Sequence, residues 1–288
     1  MLTTYKKTLY GGSSGYQLFH TVGLDAGNST IDYPHLCPDY MLFFFMHGKG
    51  SIKIEGNHYN IQAGDIFVTN PDELFHCAID NSTYHERIVL HIQDTFLQQL
   101  PCDSSPLFRI FRDREKGVCN HIPANLVRKH GLDEQLAQIL NFVQTPTAEH
   151  NILVLCKISE LLLNLSQFIT ADSQMTPATV HSPIEPILSY LNIHFTENIS
   201  ITSVAEQFNL NCSYLSHLFK DHTGMSLWNY VILRRLHLFN NLLRQNRSIE
   251  DACYSVGFQN YSNFFRLYKK YMGMTPTEFK HQNIQIPK

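Results

Sequence analysis

The sequence predicts a multidomain chain: an all-β barrel of jelly-roll type with a helical hairpin, then an all-α domain of two helix-turn-helix motifs joined by a long helix. Three observations predict it. Apolar residues alternate in short runs between Gly, Pro and Asn turns over residues 5–100. From about residue 124 the apolar period lengthens to that of a helix. The last third repeats itself: Phe219-Lys220-x-x-x-Gly224-Met225-Ser226 returns as Tyr268-Lys269-x-x-x-Gly273-Met274-Thr275, an offset of 49 residues. Period 2 marks strands and period 3.6 marks helices, and a duplicated unit of two short helices about a tight turn marks a pair of modules.

Residues 1–123 carry the strands. Tyr40-Met-Leu-Phe-Phe-Phe-Met is a β-prone apolar run, His47-Gly-Lys-Gly50 reads as a hairpin turn, and Ser51-Ile-Lys-Ile-Glu alternates. Gly56-Asn57 reads as the next turn. It is followed by Tyr59–Val68, a short strand near His76 and the alternating Tyr84–Ile92. Six or more short strands with turns at ~10-residue spacing fit an antiparallel barrel or a double-sheet jelly roll. Residues 124–169 form the hairpin. Its first helix is marked by Leu132, Leu136, Ile139, Leu140 and Val143, its second by Ile152, Leu155, Ile158, Leu162 and Leu165. The second is apolar beyond one stripe, with Leu153, Val154, Leu161 and Leu163 in addition. That surplus has to be covered either by the chain's own barrel or by another subunit, which makes the hairpin the dimerisation candidate. Residues 170–183 are small, polar and proline-bearing, hence a linker, and residues 184–288 are the all-helical domain.

Composition bounds the partners. No apolar run reaches the ~18 residues of a membrane span. The N-terminal stretch lacks a signal-peptide pattern. Seven cysteines form no Cys-x-x-Cys pair, as expected of thiols in a reducing cytoplasm. From residue 184 onward ten Lys/Arg face seven Asp/Glu, whereas residues 1–183 hold twelve against eighteen. The positive balance lies on the half with the repeated modules, the right sign for a polyanionic partner.

Within the first module Ala205 is the small residue where two helices cross, Asn209 the turn residue suited to positive φ, and Asn211 the cap of the second helix. With Leu215, Leu218 and Phe219 inward, Ser213, Ser216, His217 and Lys220 project from the opposite face. In the second module Cys253, Gly257 and Asn260 take the corresponding places. Phe264, Leu267 and Tyr268 turn inward, and Tyr261, Ser262, Asn263, Arg266, Lys269 and Lys270 outward. A polar helix face following a turn of this kind is built to enter the major groove of double-stranded DNA. Ser213, Ser216, His217, Tyr261, Ser262, Asn263 and Arg266 are the candidates to reach base edges, with Arg266 placed for a bidentate contact to guanine. Lys220, Lys269 and Lys270 are the phosphate candidates. Between the modules, Leu227–Arg244 reads as a helix of about five turns, ~27 Å long. That length sets two recognition helices about one DNA turn apart.

These residues carry a resemblance. Residues 184–283 are similar to the DNA-binding domain of AraC-type (AraC/XylS) transcriptional regulators, through Tyr214-Leu215-x-x-Leu218-Phe219-Lys220, Gly224, Arg235-Leu236, Leu242-Leu243, Val256-Gly257-Phe258 and Gly273-Met274-Thr275-Pro276. Cys253 stands where that family usually has alanine, and His217 where an arginine is common. Pro34-His35-x-x-x-Asp39-Tyr40, Gly48-x-Gly50 and Ala63-Gly64-Asp65 through His76 resemble the cupin-like effector domain of the same regulators. The resemblance implies a cupin-like barrel that binds a small-molecule effector, often a sugar, with His35, Tyr40 and His76 as pocket candidates. It also implies a homodimer that acts on promoter or operator DNA and, as an activator, on RNA polymerase. The alternative is a metal-dependent cupin enzyme whose helical tail is an assembly module, with ligands drawn from His35, His76 and His85 or His91. Against it, the His-x-His pair of metal-binding cupins is replaced here by His35 and Cys37. No P-loop, dinucleotide fingerprint or nucleophile motif is present. Accordingly no metal, cofactor or catalytic residue is assigned.

Overall fold

The structure is a computed structural model that describes residues 6–11, 15–23, 34–37, 39–80, 83–99, 103, 105–171 and 183–284. The chain divides into two compact units, Met1–His181 and Ser182–Lys288. The first contains the strands β1 (Lys6–Gly11), β2 (Tyr16–Gly23), β3 (His35–Leu36), β4 (Tyr40–His47), β5 (Gly50–Ile54), β6 (Asn57–Asn60), β7 (Ile66–Thr69), β8 (Leu74–Ile79), β9 (His85–Ile92) and β10 (His121–Ile122). They pair antiparallel into a six-stranded sheet, β1-β2-β9-β4-β7-β10, and a four-stranded sheet, β3-β8-β5-β6. The result is the double-sheet form of the all-β expectation.

Strand β4 of the large sheet is apolar on both faces because two different layers cover it. Met41, Phe43 and Phe45 of β4 pack with Phe67, Ile52, Ile54, Phe75 and Cys77 in the space between the sheets. Their neighbours Tyr40, Leu42 and Phe44 point the other way. There they join Ile88, Leu90, Leu136, Ile139, Ile158 and Leu162 in a second core under the helices. Those helices are α1 (Arg109–Arg112), α2 (Ala124–Lys129), α3 (Leu132–Gln144) and α4 (Ala148–Ala171).

Four expectations need correction. His47-Gly-Lys-Gly50 is not a hairpin: β4 bonds to β7 and β9, while β5 bonds to β6 and β8, so the chain changes sheets there. Gly48 makes this possible at φ 120°, where a Cβ would stand 2.8 Å from that of His85. The tight hairpin further on turns at Glu55 (φ 47°) and Gly56 (φ 85°), with Asn57 already in β6. Finally, α4 turns Val154, Ile158, Leu161, Leu162 and Leu165 to the core and leaves Ile152, placed by its spacing on the inward stripe, exposed with Leu153 and Leu163. The helix also continues through Thr170 and Ala171 of the segment read as a linker. Residues 172–182 of that segment lie outside the described residues.

The second unit is all-helical: α5 (Glu185–His194), α6 (Ile201–Gln207), α7 (Cys212–Thr223), α8 (Leu227–Arg244), α9 (Ile249–Ser255), α10 (Tyr261–Met272) and α11 (Pro276–Ile284). The repeated sequence is helix punctuation. Gly224 (φ 79°) ends α7 in the left-handed region, donating its N–H to the Lys220 carbonyl, and Ser226 opens α8 by accepting the Asn229 N–H. Gly273 (φ 71°) does the same for α10. Two residues on, Thr275 and Glu278 cap α11 reciprocally: Thr275 Oγ1 accepts the Glu278 N–H at 3.2 Å and the Glu278 carboxylate accepts the Thr275 N–H at 2.6 Å. Pro276 then occupies the first helical position, where its missing N–H costs nothing.

Candidate nucleic-acid interface and sensor interior

Each module is locked from the turn outward. In the first, Ser200 caps α6, Ala205 is buried at the helix crossing, and Asn209 (φ 52°) makes the turn while its successor Leu210 donates to the Ala205 carbonyl. Asn211 Oδ1 accepts the Ser213 N–H at 2.8 Å to start α7. In the second, Ser248 caps α9 through the Asp251 N–H at 3.1 Å, Gly257 (φ 93°) makes the turn, and Asn260 Oδ1 accepts the Asn263 N–H at 2.9 Å to start α10. Cys253 is buried at the crossing, and burial pushes its thiol up to about 11. It therefore stays a neutral, small side chain at physiological pH and serves where alanine would.

With Leu215 and Phe219 buried and Leu218 half-buried, α7 presents Ser213, Ser216, His217 and Lys220 as exposed residues. With Phe264 and Tyr268 buried and Leu267 half-buried, α10 presents Tyr261, Ser262, Asn263, Arg266, Lys269 and Lys270. Tyr268 is anchored by a 2.6 Å hydrogen bond from its hydroxyl to Asn240 of α8, and burial raises its pKa.

Helix α8 spans the predicted residues but is more than a spacer. Ile232, Leu236, Phe239 and Leu243 belong to the core of the second module. Tyr230 packs edge-on against Phe219 of the first, its hydroxyl donating to Asn192 at 2.6 Å. Arg235 ties both together. Its guanidinium donates to the carbonyls of Phe195 (2.7 Å), Glu197 (2.6 Å) and Gly257 (2.9 Å), which bridges the α5–α6 connection and the second turn. Arg235 carries no mark of this role in the sequence beyond its place in a motif, since its three acceptors lie far off in the chain.

Two clefts open on this unit. One, of about 430 Å³, is lined by Ser216 and Lys220 of α7; the other, of about 540 Å³, by Asn260 and Asn263 at the start of α10. Trp228 lines both.

In the first unit the three pocket candidates from sequence are not brought together. His35 pairs with Phe75 and meets its ring edge-on at 5.7 Å, on the side facing the other sheet. His76, the next residue after Phe75, faces away from that space because side chains alternate along a strand. Tyr40 lies under the helices, its hydroxyl accepting from Arg112 Nε at 3.0 Å. A metal set containing both His35 and His76 fails for the same reason. Besides His35, polar groups of β2 and β9 point between the sheets. Arg87, 1% exposed, pairs with Thr21 on one side and Phe45 on the other. His85 and His91 share its face, and His91 Nδ1 lies 3.7 Å from Cys37 Sγ. Burial pushes that thiol up to about 12. The signal was present in the alternation of residues 84–92, whose polar positions His85, Arg87 and His91 share one parity.

Comparison with known proteins agrees with this architecture. Residues 19–165 match the AraC-like ligand binding domain, and residues 204–282 match a helix-turn-helix domain. The chain is 23% identical over 252 residues to the Msm operon regulatory protein of Streptococcus mutans, covering 86% of each. It is 26% identical over 262 residues to the Arabinose operon regulatory protein of Escherichia coli, covering 87% of this chain and 83% of that one. Against the HTH-type transcriptional activator RhaS of Escherichia fergusonii it is 23% identical over 241 residues, 81% of this chain and 82% of the other. A ligand-binding match over half of the chain, followed by capped tandem helix-turn-helix modules, places this protein in the AraC family of transcriptional regulators.

Proposed function

We propose that the chain is a cytoplasmic activator of a sugar-utilisation operon. It binds promoter DNA as a homodimer through α7 and α10, engages RNA polymerase there, and responds to a sugar held between the two sheets. The observation that carries the DNA reading is the pair of capped helices, each with one buried face and one exposed face of Ser, His, Asn, Arg and Lys. Arg266 reads a guanine bidentately. Ser213, Ser216, His217, Tyr261, Ser262 and Asn263 make the remaining base-edge contacts, and Lys220, Lys269 and Lys270 hold phosphates. The sugar reading draws on a relative named for the arabinose operon, and the activator reading on one named as an activator. Thr21, Arg87 and His91, projecting into an interior lined mainly by apolar side chains, are the groups suited to orient a polar effector. The effector shifts DNA affinity only by its difference in affinity between the two states it distinguishes. No catalytic step and no cofactor are assigned to the chain.

The test is selection of duplexes from a randomised pool by the full-length protein, then titration of the enriched site with and without a panel of neutral sugars. Arg266→Ala is expected to cost ~1–3 kcal/mol on that site and relax one base pair, whereas Lys269→Ala weakens all sequences alike and lowers the salt slope by about one. Equal losses on selected and random DNA for Arg266→Ala refute its role. A site whose affinity no sugar alters refutes the sugar.

Dimerisation is assigned to α4. Ile152, Cys156 and Leu163 form an exposed stripe opposite the core-facing one, with the spacing of a helix–helix seam. Ile152→Asp combined with Leu163→Asp is expected to convert a dimer to a monomer in sedimentation without lowering the melting temperature. A wild-type protein that sediments as a monomer at every concentration overturns the assignment.

A further inference from the structure

The only tryptophan in the sequence is Trp228, the second residue of α8, and nearly half of its surface (48%) is exposed. A bulky apolar ring left in solvent invites explanation, and three features of its setting supply one. First, it forms the wall between the two clefts, with Ser216 and Lys220 on one side and Asn260 and Asn263 on the other. It therefore stands between the exposed face of one recognition helix and the first turn of the other. Second, the ring is braced. Seven residues along the same face of α8, the Arg235 guanidinium lies 5.7 Å from its centroid and is itself fixed by three carbonyls. A side chain already held loses little freedom on contact. Third, the two helices flanking it belong to one DNA-binding unit. When two helices occupy successive major grooves on one side of a duplex, the surface between them is the minor groove and its sugar–phosphate walls.

We propose that Trp228 is a third DNA-reading element, pressing its indole into the minor groove midway between the two half-sites. The minor groove distinguishes A·T from G·C pairs by the 2-amino group that guanine raises from its floor. A flat apolar ring tolerates the bare floor and the deoxyribose walls but not that protrusion. Insertion of an apolar side chain there also bends the duplex. The site therefore gains a preference at central base pairs that neither recognition helix touches. This rests on the DNA reading of α7 and α10 given above.

Because Trp228 is the sole tryptophan, its emission reports on this position alone. Full-length protein titrated with the selected duplex is expected to show a shifted or quenched emission and protection from acrylamide. Trp228→Ala is expected to bind that duplex about tenfold more weakly with unchanged circular dichroism, and Trp228→Phe to recover part of the loss. Central G·C pairs should weaken wild-type binding, while inosine·C pairs, which lack the 2-amino group, should not. Tight binding with unaltered emission and acrylamide access overturns the proposal, as does inosine·C behaving like G·C. A selection that enriches no sequence overturns the recognition reading itself, and this proposal with it.

Discussion

Glu73→Ala is expected to destabilise the sensor unit by ~3–5 kcal/mol, the scale on which a buried ion pair fails when one partner is removed. The side chains of Glu73 and Arg114 are 0% and 2% exposed. Arg114 donates to both carboxylate oxygens, at 2.9 and 2.6 Å. The same oxygens accept the backbone N–H of Asn70 and of Gly117, each at 2.7 Å, and Asn120 Nδ2 at 3.1 Å. Alanine would leave a guanidinium in the interior beside two orphaned amides. The clamp joins the β7–β8 turn to the loops on either side of Val118, segments more than forty residues apart in the chain. Glu73→Gln keeps the volume and one acceptor but removes the charge, and should cost less than Glu73→Ala. Urea unfolding of the full chain measures the difference. A change below ~1 kcal/mol for alanine would mean that the clamp is not the keystone of this loop cluster.

Gly257→Asn is the second large expectation, because the equivalent residue of the first module is already asparagine. Asn209 sits at φ 52° without harm. At Gly257 the φ is 93°, and a Cβ would fall 2.2 Å from the Thr196 carbonyl oxygen and 3.2 Å from the Arg235 guanidinium carbon. Backbone strain of ~1–3 kcal/mol and overpacking of ~1–3 kcal/mol then add. The neighbour that must yield is main chain, so little relief is available. The Arg235 bridge to the Gly257 carbonyl would be disturbed too, uncoupling the second turn from α8. Gly273→Ala provides the control: φ is 71° there, but nothing lies within 4 Å of a Cβ. It should cost only the left-handed penalty, ~1–2 kcal/mol. Thermal melts and binding to the selected duplex should rank Gly257→Asn well below Gly273→Ala. Equal melting temperatures for the two variants would contradict the steric argument.

These contrasts show what was legible. The glycine and asparagine turns, the caps at Asn211 and Asn260 and the stop-start pattern around Gly224 and Gly273 are set by residues within four positions of one another. Local sequence therefore carried them. The exposed faces of α7 and α10 followed from period 3.6 once the inward leucines and aromatics were identified. The sensor interior did not follow. Tyr40–Phe45 is buried on both faces, so its alternation holds no polar mark to say which side faces the other sheet, and Tyr40 lies in the layer under the helices rather than between the sheets. His47-Gly-Lys-Gly50 looked like a hairpin because glycines mark turns of every kind, including one that sends the chain to a second sheet.

By itself, then, the amino-acid order determined the two-part plan, the tandem modules and the exposed faces of α7 and α10. Each depends on contacts within a turn or two of the chain and on a period visible over a dozen residues. Only the tertiary structure decided that β2 and β9 aim Thr21, Arg87 and His91 between the sheets, that Glu73 receives Arg114, and that Arg235 grips three distant carbonyls beneath Trp228. The physical reason is common to all three: the partners are brought together by strand register and helix packing. Neither is written at a fixed spacing in sequence: the shared parity of His85, Arg87 and His91 marks one strand face but not the layer that it meets.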